Sequence, residues 1–321
     1  MPNPACPLCE SLDTFPNEFY SNGSLENRHL HCCSNCGTSF LHPMPDAKTL
    51  TKVYDQAYYG QGTGKFIGPA EWIVRLFRHS RASAIRRLAP TGRVLDVGCG
   101  RGLMLQFLKK WGYEVDGVEL DNLAAERAGR NLGQEIFHRL DEVEALRPEK
   151  YQAICFWHSL EHLPRPGDTL TIADRLLASG GILIVSAPHV ASIQSRLSGR
   201  DWLHLDLPRH LVHFDMNRLP DYLKKRGYRL IRQEHFSQEY NAIDTLCYLF
   251  SVLGFHPLYP FNLLKGFQGY KSCKTSTLSS VSGFFLLLPL GLSALLASNL
   301  FSMLRSGSTV TLFLRKEPTD I

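Results

Sequence analysis

RVLDVGCGRG, residues 93–102, decides how this chain folds. Val94 to Val97 is a short apolar run, and Gly98, Gly100 and Gly102 follow it at alternate positions. Leu103 to Trp111 then spaces its apolar residues as a helix does. A strand, a glycine turn and a helix, in that order, build a ligand site at the carboxyl end of a parallel strand. Glycine permits positive φ and lets backbone approach a ligand closely. A helix-like segment, Glu71 to Leu88, leads into the loop.

The next strand, Glu114 to Glu119, ends in an acid 19 residues after Gly100. A carboxylate there can take both hydroxyls of a ribose. The glycine spacing is D-x-G-x-G-x-G, not the G-x-G-x-x-G of nicotinamide-binding proteins, which discourages an oxidoreductase. Asp96, just before the glycines, would repel a pyrophosphate but tolerate a ligand carrying an amino group.

Tyr151 to Trp157 is a near-continuous apolar run, as a buried central strand requires. His158-Ser-Leu-Glu161-His162 follows and matches the H-x-x-E-H pattern of some zinc peptidases. That chemistry needs both histidines on one helical face. Here the string starts at a strand end, and Pro164 and Pro166 stop any helix almost at once. Glu161 and His162 are therefore expected to cap and pack the following turn.

VLDVGCGRG, GVELD and FWHSLEHL together resemble a class I S-adenosyl-L-methionine-dependent methyltransferase, over about residues 70–235 plus the last strand. The resemblance implies an α/β, Rossmann-like fold: a seven-stranded, mostly parallel sheet with helices on both faces. It places Asp96, Gly98, Cys99, Gly100 and Gly102 around the methionine end of S-adenosyl-L-methionine, Glu119 on the ribose and Leu120 against the adenine. Asp141 would lie near the adenine amino group, and Trp157 and His158 would flank the sulfonium. Trp202-x-x-x-Asp206-x-Pro208-Arg209-His210-x-x-x-Phe214 resembles a substrate-side segment of one methyltransferase branch, which often carries an N-terminal zinc ribbon. Methyl transfer to a hydroxyl or amine requires alignment and removal of a proton. Histidine suits the base role near neutral pH, so His210 is the first candidate and His158 the second.

Cys6-Pro-Leu-Cys9 and Cys33-Ser-Asn-Cys36 are two C-x-x-C pairs with 23 residues between them. Two such turns complete a tetrahedral site of four thiolates, which leaves no position for substrate and is structural. Residues 1–45 thus read as a zinc-ribbon module holding Zn2+, with strands at Glu18 to Tyr20 and His29 to Cys32. Cys32 is the alternative to Cys33, at looser spacing. Residues 46–70 read as a linker or lid, and 71–238 as the methyltransferase core.

The fold needs one more strand after Tyr228 to Gln233, and residues 307–321 supply it with a tail. Between them, residues 239–306 form a hydrophobic helical insertion. Thr245 to Leu264 and Thr275 to Leu304 carry no charged residue, and Pro257, Pro260, Pro289 and Gly291 interrupt straight helices. Two readings stay open for residues 245–304. One is a hairpin at or in one membrane leaflet, helped by Arg75, Arg78, Arg81, Arg86 and Arg87; the other is a buried helix pair or dimer interface.

With 44% hydrophobic and 20% charged residues the chain is a folded protein, and its net charge of +5 carries no nucleic-acid signature. Nine cysteines, an odd number with four in close pairs, fit a reducing compartment and metal binding better than a disulfide framework; with a start that lacks a secretory pattern they imply a cytoplasmic protein, peripheral on the inner face if the insertion meets lipid. The expected activity is methyl transfer to a small-molecule, sugar or lipid-linked acceptor, O-methylation before C-methylation. The competing reading is a non-catalytic zinc-ribbon adaptor with a vestigial cofactor pocket.

Overall fold

A computed structural model describes residues 3–18, 28–46, 49–50, 68–147, 150–237, 239–257, 259–260 and 277–318. Three short strands come first: β1 (Thr14–Pro16), β2 (His29–Cys33) and β3 (Ser39–His42). Then follow α1 (Gly68–Leu88), β4 (Arg93–Val97), α2 (Leu103–Lys110), β5 (Glu114–Val118), α3 (Asn122–Leu132), α4 (Leu140–Leu146) and β6 (Tyr151–Trp157). The second half runs α5 (Pro166–Leu176), β7 (Leu177–Pro188), α6 (Ile193–Ser198), β8 (Val212–His213), α7 (Leu219–Lys224) and β9 (Tyr228–Glu234). It ends with α8 (Asn241–Val252), α9 (Thr277–Met303) and β10 (Thr309–Lys316).

The main sheet has the order β5-β4-β6-β7-β10-β9. Its first four strands are parallel, and β10 runs antiparallel between β7 and β9. Alternate residues of the central strands point to opposite faces. Leu95, Val97, Ile154, Phe156, Leu183 and Val185 enter one core, and Val94, Ala153, Cys155, Ile182 and Ile184 the other. Both faces are therefore covered, which is why these strands read as unbroken apolar runs.

Six strands are described where seven were expected. The seventh survives as one parallel bridge, Val118 to Phe137. It stops there because the next two N–H groups are already committed: His138 and Arg139 donate to the Glu142 carboxylate at 3.0 and 3.2 Å, capping α4.

The cysteine-bearing module forms a second sheet in the order β1-β2-β3-β8. Its first described strand is Thr14–Pro16; of the strand expected at Glu18 to Tyr20, Phe19 and Tyr20 lie outside the described residues. Phe40 to His42, near the end of the expected module, belongs to β3. The fourth strand comes from the larger domain: β8 pairs with β3 through Ser39–His213 and Phe40–Val212. Arg218 clamps the same junction, donating to the carbonyls of Ser34 and Asn35 at 2.7 and 2.9 Å. Gly167 lies under the Leu8 carbonyl, where a Cβ would stand 2.6 Å away. Most of the expected lid, 47–48 and 51–67, lies outside the described residues.

The insertion is stitched to the core. Asn241, on α8, donates to the His235 carbonyl at 2.8 Å and accepts from the Thr309 N–H at 3.0 Å and the Ser308 hydroxyl at 3.2 Å. Trp202 donates its indole N–H to Asp244 of α8 at 3.1 Å. Pro289 does not interrupt α9 as expected; it removes one donor from the ladder, and the 27-residue helix continues. From Phe285 to Met303 this helix is only 11% buried.

Candidate functional site

Gly98 has φ 84° and donates its N–H to the Val118 carbonyl at 2.8 Å, which folds the loop back over β5. A Cβ at Gly98 would stand 2.4 Å from Cβ of Ser159, so this turn and the turn after β6 pack without a gap. The Ser159 hydroxyl closes the contact by donating to the Val97 carbonyl. Gly102 opens α2 in left-handed conformation. Cys99 is half-buried, its sulfur filling the space beside Gly117, so it shapes the loop from behind.

Two carboxylates meet at this loop. Asp96 is 4% exposed, and its Oδ1 makes no hydrogen bond. Burial pushes it up to about 7, against the lowering pull of Arg81 and Arg78. Glu119 accepts from the Gly100 N–H at 2.8 Å and the Asp121 N–H at 3.0 Å, which fixes its carboxylate against the loop. Burial raises Glu119 as well, opposed by those backbone donors. The pair, one poorly partnered and one oriented by backbone, offers acceptors for an ammonium and for hydroxyls. Leu120 is 71% exposed and stands at the rim.

Asp141 is drawn elsewhere. It sits in the first turn of α4 and pairs with Arg139, whose Nε donates at 2.9 Å. Instead of Asp141, the structure brings His138 to the acid strand end: its Nδ1 lies 3.1 Å from the Glu119 carbonyl. A histidine next to Phe137 carried no sequence signal for this contact.

One of the two open readings turns Arg78 and Arg81 toward lipid; both instead pair with Glu239. Arg78 donates to Glu239 at 3.0 and 3.1 Å, and Arg81 at 2.6 Å. Arg81 also lies over the Trp157 ring, 4.8 Å from its centroid. Arg86 stacks on Trp111 at 4.4 Å. The spacing of Arg78 and Arg81 on α1 hinted at a shared face, but not at Glu239, which begins the insertion.

His158 takes φ 54°, an unusual backbone for this residue type, while its N–H donates to the Ser186 carbonyl at 2.9 Å. Its ring packs 4.0 Å from that of Tyr240. His204, His210, His213 and His162 continue a chain of rings behind it. Burial holds His158 and His210 down to about 3, so both stay neutral at pH 7.

At the other end of the molecule Cys6, Cys9, Cys33 and Cys36 bring their sulfurs within 4.8 Å of one another. The Cys6–Cys36 and Cys9–Cys33 separations are both 3.6 Å. A tetrahedral zinc site with bonds of about 2.3 Å needs sulfur–sulfur edges of about 3.8 Å, so the four fit. Cys32 pairs beside Phe15 and lies outside the group. A cavity of about 640 Å³ runs between this module and the core, past Leu8, Met44, Arg165, Tyr222 and Arg226; it shares no lining residue with the glycine loop.

Residues 70–233 match the model of a family described as a methyltransferase domain. The chain is 34% identical over 99 residues to a ubiquinone biosynthesis O-methyltransferase of Nitrosomonas europaea, covering 29% of this chain and 42% of that protein. A protein of the same name from Xylella fastidiosa is 31% identical over 133 residues, covering 39% and 54%. The chain thus spans about half the length of the curated relatives it matches. Among solved structures, a SAM dependent methyltransferase from Archaeoglobus fulgidus aligns with a TM-score of 0.44 at 17% identity, over 74% of this chain and 94% of that one.

The burial of Asp96 has a pH consequence. Below about 7 the empty site holds a protonated Asp96, so a ligand ammonium must first displace that proton. S-adenosylmethionine affinity should fall as pH drops through 7 and below, by up to about tenfold per unit. For the empty protein the sign is reversed: a raised carboxylate costs stability as pH rises from the ordinary carboxylate range towards 7. Calorimetry between pH 5.5 and 8 checks the first expectation, and Asp96→Asn should flatten the profile.

Proposed function

We propose, because this chain belongs to the methyltransferase-domain family, that it transfers the methyl group of S-adenosylmethionine to an oxygen of a small-molecule acceptor. The observation that carries the reading is the pair of buried strand-end acids, Asp96 and Glu119, on either side of a glycine loop that must stay free of side chains at Gly98. The orphaned Asp96 oxygen suits the amino group of the donor, and the backbone-fixed Glu119 suits its ribose. The bound donor supplies an electrophilic methyl on sulfonium. The chain's own residues hold donor and acceptor in line. His158, pinned by its backbone and by Tyr240, borders that line.

An oxygen acceptor is favoured by the printed names of the curated relatives, which are O-methyltransferases. A vestigial pocket is disfavoured because every acid and glycine of the loop stands in place. The four cysteines suit a zinc ion with a structural task, since all four positions are filled by protein. Cys6 and Cys36 approach to 3.6 Å, as do Cys9 and Cys33, and a cation between the four sulfurs would hold them together as thiolates. Because β8 of the core completes the same sheet, the ion would also steady the segment that carries His210.

We also propose that α9 meets a membrane surface. Phe285, Leu288, Leu292, Leu296, Leu300 and Met303 are all more than half exposed, and they recur at three- and four-residue steps along one side. The nineteen residues from Phe285 have a mean hydropathy of 1.8. The C-terminal end of α9 is tethered to the sheet through Ser308, Thr309 and Asn241, so the helix contacts lipid while β10 stays paired. An acceptor dissolved in lipid would be delivered at that side.

Three measurements test these readings. Labelled methyl from S-adenosylmethionine should appear in phenolic or hydroxylated lipid extracts, and Glu119→Ala should weaken donor binding at least about tenfold, the worth of a charge-assisted hydrogen bond. Cys36→Ser should release zinc and lower the melting temperature; a metal-free wild type of unchanged stability would end the structural-zinc reading. Joint Leu288→Glu and Leu296→Glu substitution should abolish flotation with anionic vesicles, whereas a dimer that dissociates without ever floating would assign the face to self-association.

A further inference from the structure

We propose that Glu161, His162 and His210 form a second metal site, taking one divalent transition-metal ion between two imidazoles and a carboxylate. The three residues bring one ligand atom each to within 4.8 Å of one another. They come from separate segments: Glu161 and His162 from the 3-10 turn after β6, and His210 from the loop before β8. The Leu211 N–H donates to the Glu161 carbonyl at 2.9 Å and holds the two segments in register.

The proton positions favour a ligand role. Nδ1 of His162 lies 3.0 Å from the Arg209 carbonyl, and Nδ1 of His210 lies 2.7 Å from the His204 carbonyl. A carbonyl can only accept, so each ring carries its hydrogen on Nδ1 and its lone pair on Nε2. Metal-bound histidines are fixed in this manner, with the far nitrogen donating to a backbone carbonyl or carboxylate.

The carboxylate supplies the second, independent observation. Glu161 is 1% exposed, and neither of its oxygens makes a hydrogen bond. His158 Nδ1 approaches one of them to 3.4 Å without bonding geometry. A buried carboxylate with no donor and no cation costs several kcal/mol. An ion beside it, completed by two nitrogen lone pairs, removes that cost. Two imidazoles and one carboxylate suit zinc, manganese, iron or cobalt rather than calcium. His162 is only half-buried, so that edge of the site opens outward.

The site differs from the peptidase pattern that the string H-x-x-E-H suggests. His158 is not a ligand: its ring turns to Tyr240, and His210, 48 residues from His162, takes its place. Because Ser159 of the same turn packs into the space beside Gly98, the ion would stand next to the glycine loop. Its use there rests on the O-methyl reading. An acceptor hydroxyl bound to the ion loses its proton to water, and the oxygen forms the new bond to the methyl carbon. The sulfur–carbon bond breaks with its electron pair returning to sulfur, which leaves a neutral thioether.

Metal binding can be measured without donor or acceptor, so a wrong acceptor does not touch the outcome. Zinc-replete protein is titrated with Mn2+ under electron paramagnetic resonance, and its zinc content is measured after gel filtration. The expected result is one ion bound beyond the equivalent at the four cysteines. Glu161→Gln and His210→Gln should each weaken it at least about tenfold, while His158→Gln leaves the ion bound. Retained cysteine-bound zinc and an intact melting transition show that each variant is folded; His162→Gln, at the half-buried position, serves if Glu161→Gln is not. Absence of a second ion in the wild type, or equal binding in the folded variants, overturns the proposal.

Discussion

The site depends on one steric fact: Ser159 occupies the volume that a side chain at position 98 would need. Gly98 at φ 84° folds the loop over β5, and the hydroxyl of Ser159 ties the β6 turn to the last carbonyl of β4. Two neighbouring parallel strands are thereby locked at their carboxyl ends. Everything attached to those ends inherits the lock: Asp96 before the loop, Glu119 across it, and His158, Glu161 and His162 beyond the serine. An alanine at 98 would meet both a crowded Cβ and an unfavourable φ, so glycine is required twice over.

Electrostatics at the locked strand ends is a problem of too few cations. Asp96, Glu119 and Glu161 are all at or below 9% exposed, and the nearest arginines, Arg78 and Arg81, are engaged by Glu239. Burial consequently raises Asp96 and Glu119, and the charge of Glu161 has no donor at all. Such an arrangement is unfavourable for an empty protein and favourable for one that binds positive charge. A sulfonium donor with its ammonium meets the first pair, and a metal ion meets the third acid. Arg81 and Arg78 hold Glu239 down to about 2, and Arg81 also lies over Trp157, so both guanidinium groups are ion-paired to Glu239 and act on Asp96 only at a distance.

Much of this was legible in the sequence because it follows from local pattern. Tyr151 to Trp157 has an apolar period that only a doubly covered strand explains, and the strand has those ends. Gly98, Gly100, Asp96 and Glu119 were readable because backbone conformation and charge at a strand end leave few alternatives. The seventh strand was not readable, since its loss turns on Glu142 capping α4 with the N–H groups of His138 and Arg139. Nor was the sharing of a sheet between Ser39–His42 and Val212–His213, which are separated by most of the chain. Arg78 and Arg81 looked like surface charge because their partner, Glu239, lies some 160 residues away in sequence.

His158-Ser-Leu-Glu161-His162 shows where pattern and geometry part. As a helix, the string would present His158 and His162 together; as a strand end followed by a 3-10 turn, it gives them different partners. His158 packs on Tyr240, and His162 packs on His210. The turn therefore joins two kinds of chemistry through a single carboxylate, 3.4 Å from one histidine and within ligand distance of two others. The 3-10 turn ends at His162, Pro164 follows it, and Pro166 opens α5 at its first position, so the string never continues as the helix a peptidase needs. A motif reading of the string fails for a local reason, and its residues acquire a different task for the same reason.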